Sequence, residues 1–159
     1  IARVETATQD AFAEVELRDQ LEMLVEDMFL DVSISLGVQI ALDAPEEISV
    51  TGLPEVIQRM FANILQNAMK FASKGSMIRV NLLRQGPMAR IEIENDGPVV
   101  AEDRLEVIFD PNVATSVTSG GGYGLGLPFV RAAARRHGGD AFAERLPNGM
   151  RMVMRLPVR

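Results

Sequence analysis

Between Val56 and Ser73 the chain reads VIQRMFANILQNAMKFAS, and its apolar residues Ile57, Met60, Phe61, Ile64, Ala68 and Phe71 return at steps of three and four. That spacing predicts an amphipathic helix, which Pro54 introduces near its first turn. At about 3.6 residues per turn, Asn63, Asn67 and Lys70 share a second, narrow stripe beside the apolar one. Two readings of that stripe stand side by side. It is a solvated helix edge, or it holds a hydrated cation and an anion together, as a metal–phosphate site requires. The helix alone leaves both open.

The same patterning orders the rest of the chain. Residues 1–13 are mixed and helix-compatible without a core of their own, and read as a linker or the tail of a preceding helix. Residues 14–17 form a short strand. A helix is expected from Arg18 to about Leu36, with Leu21, Leu24, Val25, Met28, Phe29 and Val32 as its buried stripe and Gly37 ending it. Strands follow at 38–42 and 48–51, then the central helix, then two longer strands at 77–84 and 88–95 joined by Gln85-Gly86-Pro87 as a hairpin. In the second of these, Ala89, Ile91 and Ile93 alternate with Arg90, Glu92 and Glu94, so one face is buried and the other wet. A short helix is expected at 102–109, a glycine-rich loop at 110–123, a helix at 124–137 capped by Gly138-Gly139, and two last strands at 140–144 and 150–156. The fold class is α+β: a two-layer sandwich, with a mixed, mostly antiparallel sheet covered on one face by helices.

Composition narrows the chemistry. The 159 residues suffice for one domain with a substantial core, and 47% hydrophobic with 24% charged residues is a globular balance. A net charge of −6 argues against a nucleic-acid surface. There is no cysteine and one histidine, which excludes disulfides, thiolate metal sites and multi-histidine clusters. The longest charge-free run, 111–130, is rich in Gly, Ser and Thr and is not a membrane span. The chain opens at Ile1 without a methionine and reads as a fragment of something longer. No Gly-Lys dipeptide marks a P-loop, the glycines of 120–126 do not fit G-x-G-x-x-G, and no serine sits in G-x-S-x-G.

Four other segments stand in order: NILQNAMKF at 63–71, IENDGP at 93–98, IFDPNVATS at 108–116 and GYGLGLPFV at 122–130. In sequence and spacing they closely resemble the N, G1, F and G2 boxes of sensor histidine kinases, members of the GHKL superfamily with the Bergerat ATP-binding fold. An Arg136-His137-Gly138-Gly139 turn and a final hairpin ending in Leu156-Pro157 agree with it, so that the resemblance covers 14–157 and the domain is expected over 14–159.

The resemblance implies roles residue by residue. Asn67 matches the asparagine that ligates the Mg²⁺ bridging the phosphates of ATP, a hard neutral oxygen ligand. Lys70 matches a lysine near the phosphates, and Phe71 closes the same box. Asn63 matches a position beside metal and phosphates that carries Glu, the water-activating base, in the ATP-hydrolysing relatives. A carboxamide accepts no proton at neutral pH, which favours a kinase over an ATPase. In the G1 box the usual D-x-G-x-G is altered. Asn95 stands where the adenine-binding Asp is expected, ahead of Gly97, and Val99 replaces the second glycine. Strand parity turns Asn95 toward the core with Ile91 and Ile93 and Asp96 toward solvent, so Asn95 is the first candidate for adenine and Asp96 the second. Residues 110–123 match the ATP lid, which holds no Arg or Lys. Gly122, Tyr123, Gly124, Leu125, Gly126 and Leu127 match the turn and helix start where backbone amides approach phosphate. Asn112 departs from the usual aromatic of the F box, and Phe109 is expected to take its packing role.

His137 ends a helix, where an imidazolium suits the dipole, and no catalytic part is expected of it. Arg131, Arg135 and Arg136 are expected on a solvated face, with an acidic partner as the other reading. The resemblance thus implies the catalytic domain of a histidine kinase. It would bind Mg²⁺ and ATP and pass the γ-phosphoryl to a histidine on an upstream dimerisation domain, and from there to a response regulator. Nucleic acid is not a partner, and this domain makes no direct membrane contact. Its place is the cytoplasm, whether or not the parent protein is anchored, and the fragment alone is not expected to phosphorylate itself. The altered G1 box and uncharged lid motivate one rival, a pseudokinase-type interaction module on the same fold.

Overall fold

A computed structural model of the protein describes residues 11–111 and 126–159. A short strand β1 (Ala13–Glu16) leads into helix α1 (Leu17–Met23), a single π turn (Leu24–Met28) and helix α2 (Leu30–Leu36). Strands β2 (Gln39–Asp43) and β3 (Ser49–Gly52) precede the central helix α3 (Pro54–Phe71). The hairpin of β4 (Met77–Gln85) and β5 (Met88–Asp96) is followed by two 3₁₀ turns, Glu102–Arg104 and Val107–Phe109. Helix α4 (Gly126–Arg136) and the hairpin of β6 (Asp140–Leu146) and β7 (Gly149–Pro157) complete the chain.

Five strands form one sheet in the order β2-β4-β5-β7-β6, in which β2 runs parallel to β4 and every other pair is antiparallel. Strands β1 and β3 make a separate two-stranded ribbon. The sheet buries Ile78, Val80, Leu82, Ile91, Ile93, Met152 and Met154 against Ile57, Met60, Phe61, Ile64, Leu65 and Ala68 of α3 and Leu127, Val130 and Ala134 of α4. Each of the larger side chains contributes roughly 1.5–3 kcal/mol on leaving water, so α3 is fixed by its apolar stripe. Arg59 of α3 lies over the Phe129 ring of α4 at 4.2 Å, tying the two helices on their solvent side as well.

The opposite face of the sheet is polar but less wet than alternation predicts. A chain of ion pairs runs across three strands from Glu92 to Arg90 (2.7 Å), Glu144 (3.1 Å), Arg151 (3.0 Å) and Glu94 (2.8 Å). It covers Val153, which is fully buried on that side. The sheet therefore supplies its own second cover.

Two expectations need correction. The helix at 17–36 is not continuous. The π turn adds a residue to one turn and advances everything after it by about 100°, so Met28 and Val32 are exposed instead of completing the buried stripe. Gly37, with φ of 69°, then ends α2 as expected. Residues 102–109 form two 3₁₀ turns instead of a helix: each is closed by a bond from the residue after it, Leu105 N–H to Glu102 O and Asp110 N–H to Val107 O. Ribbon and sheet edge meet where the chain ends. Arg159 N–H donates to Ser49 O, Val158 N–H to Pro87 O, and the Arg159 guanidinium pairs with Glu14.

Candidate functional site

The polar stripe of α3 is built by the same spacing that builds its apolar one. With Ile64 and Ala68 sunk in the core, Asn63 and Asn67 are left half-buried at the helix flank and Lys70 exposed one turn further on. Neither carboxamide is held by a hydrogen bond among the described residues, which leaves both free to ligate. The Lys70 ammonium lies 5.9 Å from the Phe71 ring centroid.

The end of β5 is drawn tightly under the last turn of α3. Ser73 N–H donates to Asp96 O at 2.8 Å, and Gly97 N–H donates to Asn148 O at 2.8 Å. Gly97 approaches so closely that a Cβ there would stand 2.1 Å from Phe71 O, and its φ of 154° further disfavours a side chain. Only glycine fits between helix and strand. Asn95, just before it, is 5% exposed, and its Nδ2 donates to Asp96 O at 3.3 Å. Asp96 is exposed. The parity argument for the two residues thus holds in the structure.

On the other side of the stripe stands the first described turn of α4. A Cβ at Gly126 would lie 3.8 Å from Asn63 Cβ and 3.9 Å from its Nδ2, so the two helices meet at that pair. Leu127, the next residue, is 1% exposed and belongs to the core. Gly122, Tyr123, Gly124 and Leu125, with Asn112 of the F box, lie outside the described residues.

Arg131 organises the F-box flank. Its Nη atoms donate to both Glu106 carboxylate oxygens at 2.8 and 3.1 Å, its Nε donates to Ala141 O at 2.9 Å, and its guanidinium lies 4.1 Å from the Phe109 ring centroid. That hydrogen-bonded guanidinium holds the Glu106 carboxyl below the usual carboxylate range. Phe109 is buried beneath it. The expectation of a solvated or partner-seeking arginine face is corrected here: Arg131 is spent inside the domain and Arg135 pairs with Asp140 at 3.1 Å. The missed signal is positional. Arg131 follows Leu127 by four residues and so flanks the buried stripe of α4.

His137 also differs from expectation. Its Nε2 accepts from Leu53 N–H at 3.1 Å and its Nδ1 lies 2.8 Å from Ala133 O. Accepting at Nε2 requires a neutral ring with the proton on Nδ1, so the imidazolium at a helix end is replaced by a neutral imidazole. It bridges the end of α4 to the start of α3, with Phe12 stacked at 5.5 Å.

The arrangement can bind an anion–metal pair with neutral carboxamide ligands, one nearby ammonium and a buried amide at the sheet end. Among the described residues no group of three or more His, Cys, Asp or Glu is placed to hold a metal, so a cation here would take most of its ligands from water and from the anion. No described helix is long and apolar enough to cross a membrane.

Comparison with known proteins agrees with this geometry. Residues 52–159 match the family model described as histidine kinase-, DNA gyrase B-, and HSP90-like ATPase. Over 148 residues, 90% of this chain, the sequence is 31% identical to the sensor protein VanS of Enterococcus faecium. Over 161 residues, 99% of the chain, it is 30% identical to the sensor-type histidine kinase PrrB of Mycobacterium tuberculosis. The chain spans 38% of the first protein and 34% of the second. Among solved structures it superposes on the ATP-binding domain of PrrB with a TM-score of 0.76 and 25% identity, covering 94% of this chain and 99% of that one. The nucleotide-free catalytic domain of histidine kinase ThkA gives a TM-score of 0.82 at 24% identity, covering 92% and 96%.

Proposed function

Because the chain belongs to the histidine kinase-, DNA gyrase B-, and HSP90-like ATPase family, we propose that it is the ATP-binding catalytic domain of a two-component sensor histidine kinase. The observation that carries this reading is the meeting of three separated motifs on one helix flank: Asn63 against Gly126, and the last turn of α3 over Gly97, with Asn67 and Lys70 between. In this reading residues 14–159 are the catalytic domain and 1–13 lead into it from a dimerisation domain that carries the phosphoacceptor histidine. A response regulator receives the phosphoryl group afterwards. The domain works in the cytoplasm, and the isolated chain does not phosphorylate itself.

The residues divide the work by chemistry. Asn67, with a neutral oxygen, holds Mg²⁺ without displacing its waters, and Asn63 orients the same shell. Bound Mg²⁺ supplies neutralisation of the phosphate charge. Lys70 adds a mobile positive charge, and the backbone at 122–127 offers N–H donors to the phosphates. Asn95 accepts from the adenine amino group through Oδ1, and Asp96 is the second candidate. Phe71 and Phe109 wall the nucleotide. No carboxylate stands at position 63 to take a proton from water, so the site positions ATP for an imidazole brought by the partner domain and spares it from hydrolysis.

Calorimetric titration with ATP and ADP, with and without Mg²⁺, tests this. Saturable Mg²⁺-dependent binding is expected. Asn67→Ala should weaken it tenfold or more, about 1.4 kcal/mol, and Asn95→Asp should preserve or tighten it by supplying a charged acceptor. Folded protein that ignores millimolar nucleotide would leave the fold as an interaction module.

A further inference from the structure

The segment from the π turn to the end of α2 exposes Met28, Leu30, Val32, Ile34 and Leu36, with Ile34 at 68%. Five large apolar side chains open to solvent within nine residues exceed the scattered exposure of an ordinary surface. On one flank they border a cavity of about 330 Å³ between α2 and the sheet-edge strand β2, lined by Val25, Leu30, Ile34, Val38, Ile40 and Met77. In α2 only Ser33 is buried, its Oγ donating to Leu30 O at 2.8 Å.

The charges around this face have one sign. From Leu17 to Leu36 the acids are Asp19, Glu22, Glu26, Asp27 and Asp31, and the one cation, Arg18, is already paired with Glu47 at 3.0 Å. Pairing with a second copy through the same face would oppose two acidic rims, and an anionic lipid surface would be repelled equally. An apolar ridge and groove with an acidic rim suits the apolar face of a basic helix.

We propose that the π turn, α2 and the groove beside β2 form a docking surface for a basic amphipathic helix of another protein or domain. Two or three aliphatic side chains of that helix enter the groove by Leu30, Ile34 and Ile40, and its flanking lysines or arginines meet Asp27 and Asp31. The surface also touches the helix that carries the candidate site: the Gln58 amide of α3 donates to Met28 Sδ at 3.5 Å, five residues before Asn63.

The probe is a helical peptide of leucine and lysine with leucines at three- and four-residue spacing, titrated into the isotopically labelled protein at low salt. Amide shift changes should gather at residues 25–40 and at Met77. Leu30→Ser with Ile34→Ser, both at exposed positions that leave folding intact, should weaken binding about tenfold or more. Asp27→Asn with Asp31→Asn should flatten its salt dependence. A glutamate version of the peptide should not bind. The proposal is overturned if the glutamate peptide binds equally, if the shifts fall elsewhere, or if the serine pair changes nothing. Concentration-dependent dimerisation abolished by the same serine pair, or binding to anionic vesicles through this face, would overturn it as well.

Discussion

At the scale of single residues, the site depends on close approach more than on charge. Gly97 is the sharpest case. Gly97→Ala puts a methyl group on Phe71 O and forces the end of α3 away from β5, at a cost of about 1–3 kcal/mol or more. With roughly 2–4 °C of Tm per kcal/mol for a chain of this size, thermal unfolding should detect it, and nucleotide affinity should fall with it. Gly97 was legible in the sequence only as part of a motif, because its constraint comes from a backbone oxygen 26 residues away. Asn95 was legible by simple alternation, since one strand face must be buried. His137 was misjudged because a helix end suggests a charged ring, and nothing local announces that Leu53 N–H will reach its Nε2. His137→Phe keeps the volume but strands that buried N–H, so a loss of about 1–3 kcal/mol is expected in denaturant unfolding. A variant as stable as the parent would show that water replaces the imidazole.

At the scale of elements, the central helix was read almost to its ends, from an 18-residue stretch whose apolar period has no competing pattern. The helix before it was not. The positions Leu21, Leu24, Val25, Met28, Phe29 and Val32 keep helical spacing, but a π turn costs too little and leaves too faint a signature for spacing to reveal it. The F-box flank is held from α4 by Arg131. Because Arg131 holds the Glu106 carboxyl below 4.5, its ordinary value, the pair's contribution is complete above that pH. It disappears as pH falls through the lower folded-state value. The stability difference between the parent and Glu106→Gln should therefore be constant near neutrality and shrink below about pH 4.5. Glu106 is largely exposed, so the difference is small at physiological salt. Arg131→Gln should cost more at every pH, since it also uncovers Phe109 and releases Ala141 O. Equal losses from the two variants would reduce Arg131 to a surface ion pair.

At the scale of the molecule, one helix layer and one sheet leave the far face of the sheet to be closed by its own ion pairs. Alternation announces that this face is polar. It does not announce that Arg90, Arg151 and Glu144 will join across three strands and seal Val153, because that depends on strand order β5-β7-β6, which no local pattern encodes. The ribbon of β1 and β3 is long-range in the same sense.

The meeting of Glu14, Ser49 and Arg159 at one corner has a practical consequence. With its two ends side by side, the chain is topologically close to a ring, and the order in which its segments are synthesised is separable from the shape they reach. A circular permutant joining residue 159 to residue 13 through a few flexible residues, and opened in the exposed hairpin between Gln85 and Gly86, should fold to the same spectrum as the parent. It should also keep the parent's nucleotide affinity, since the opened turn lies away from α3, Gly97 and Gly126.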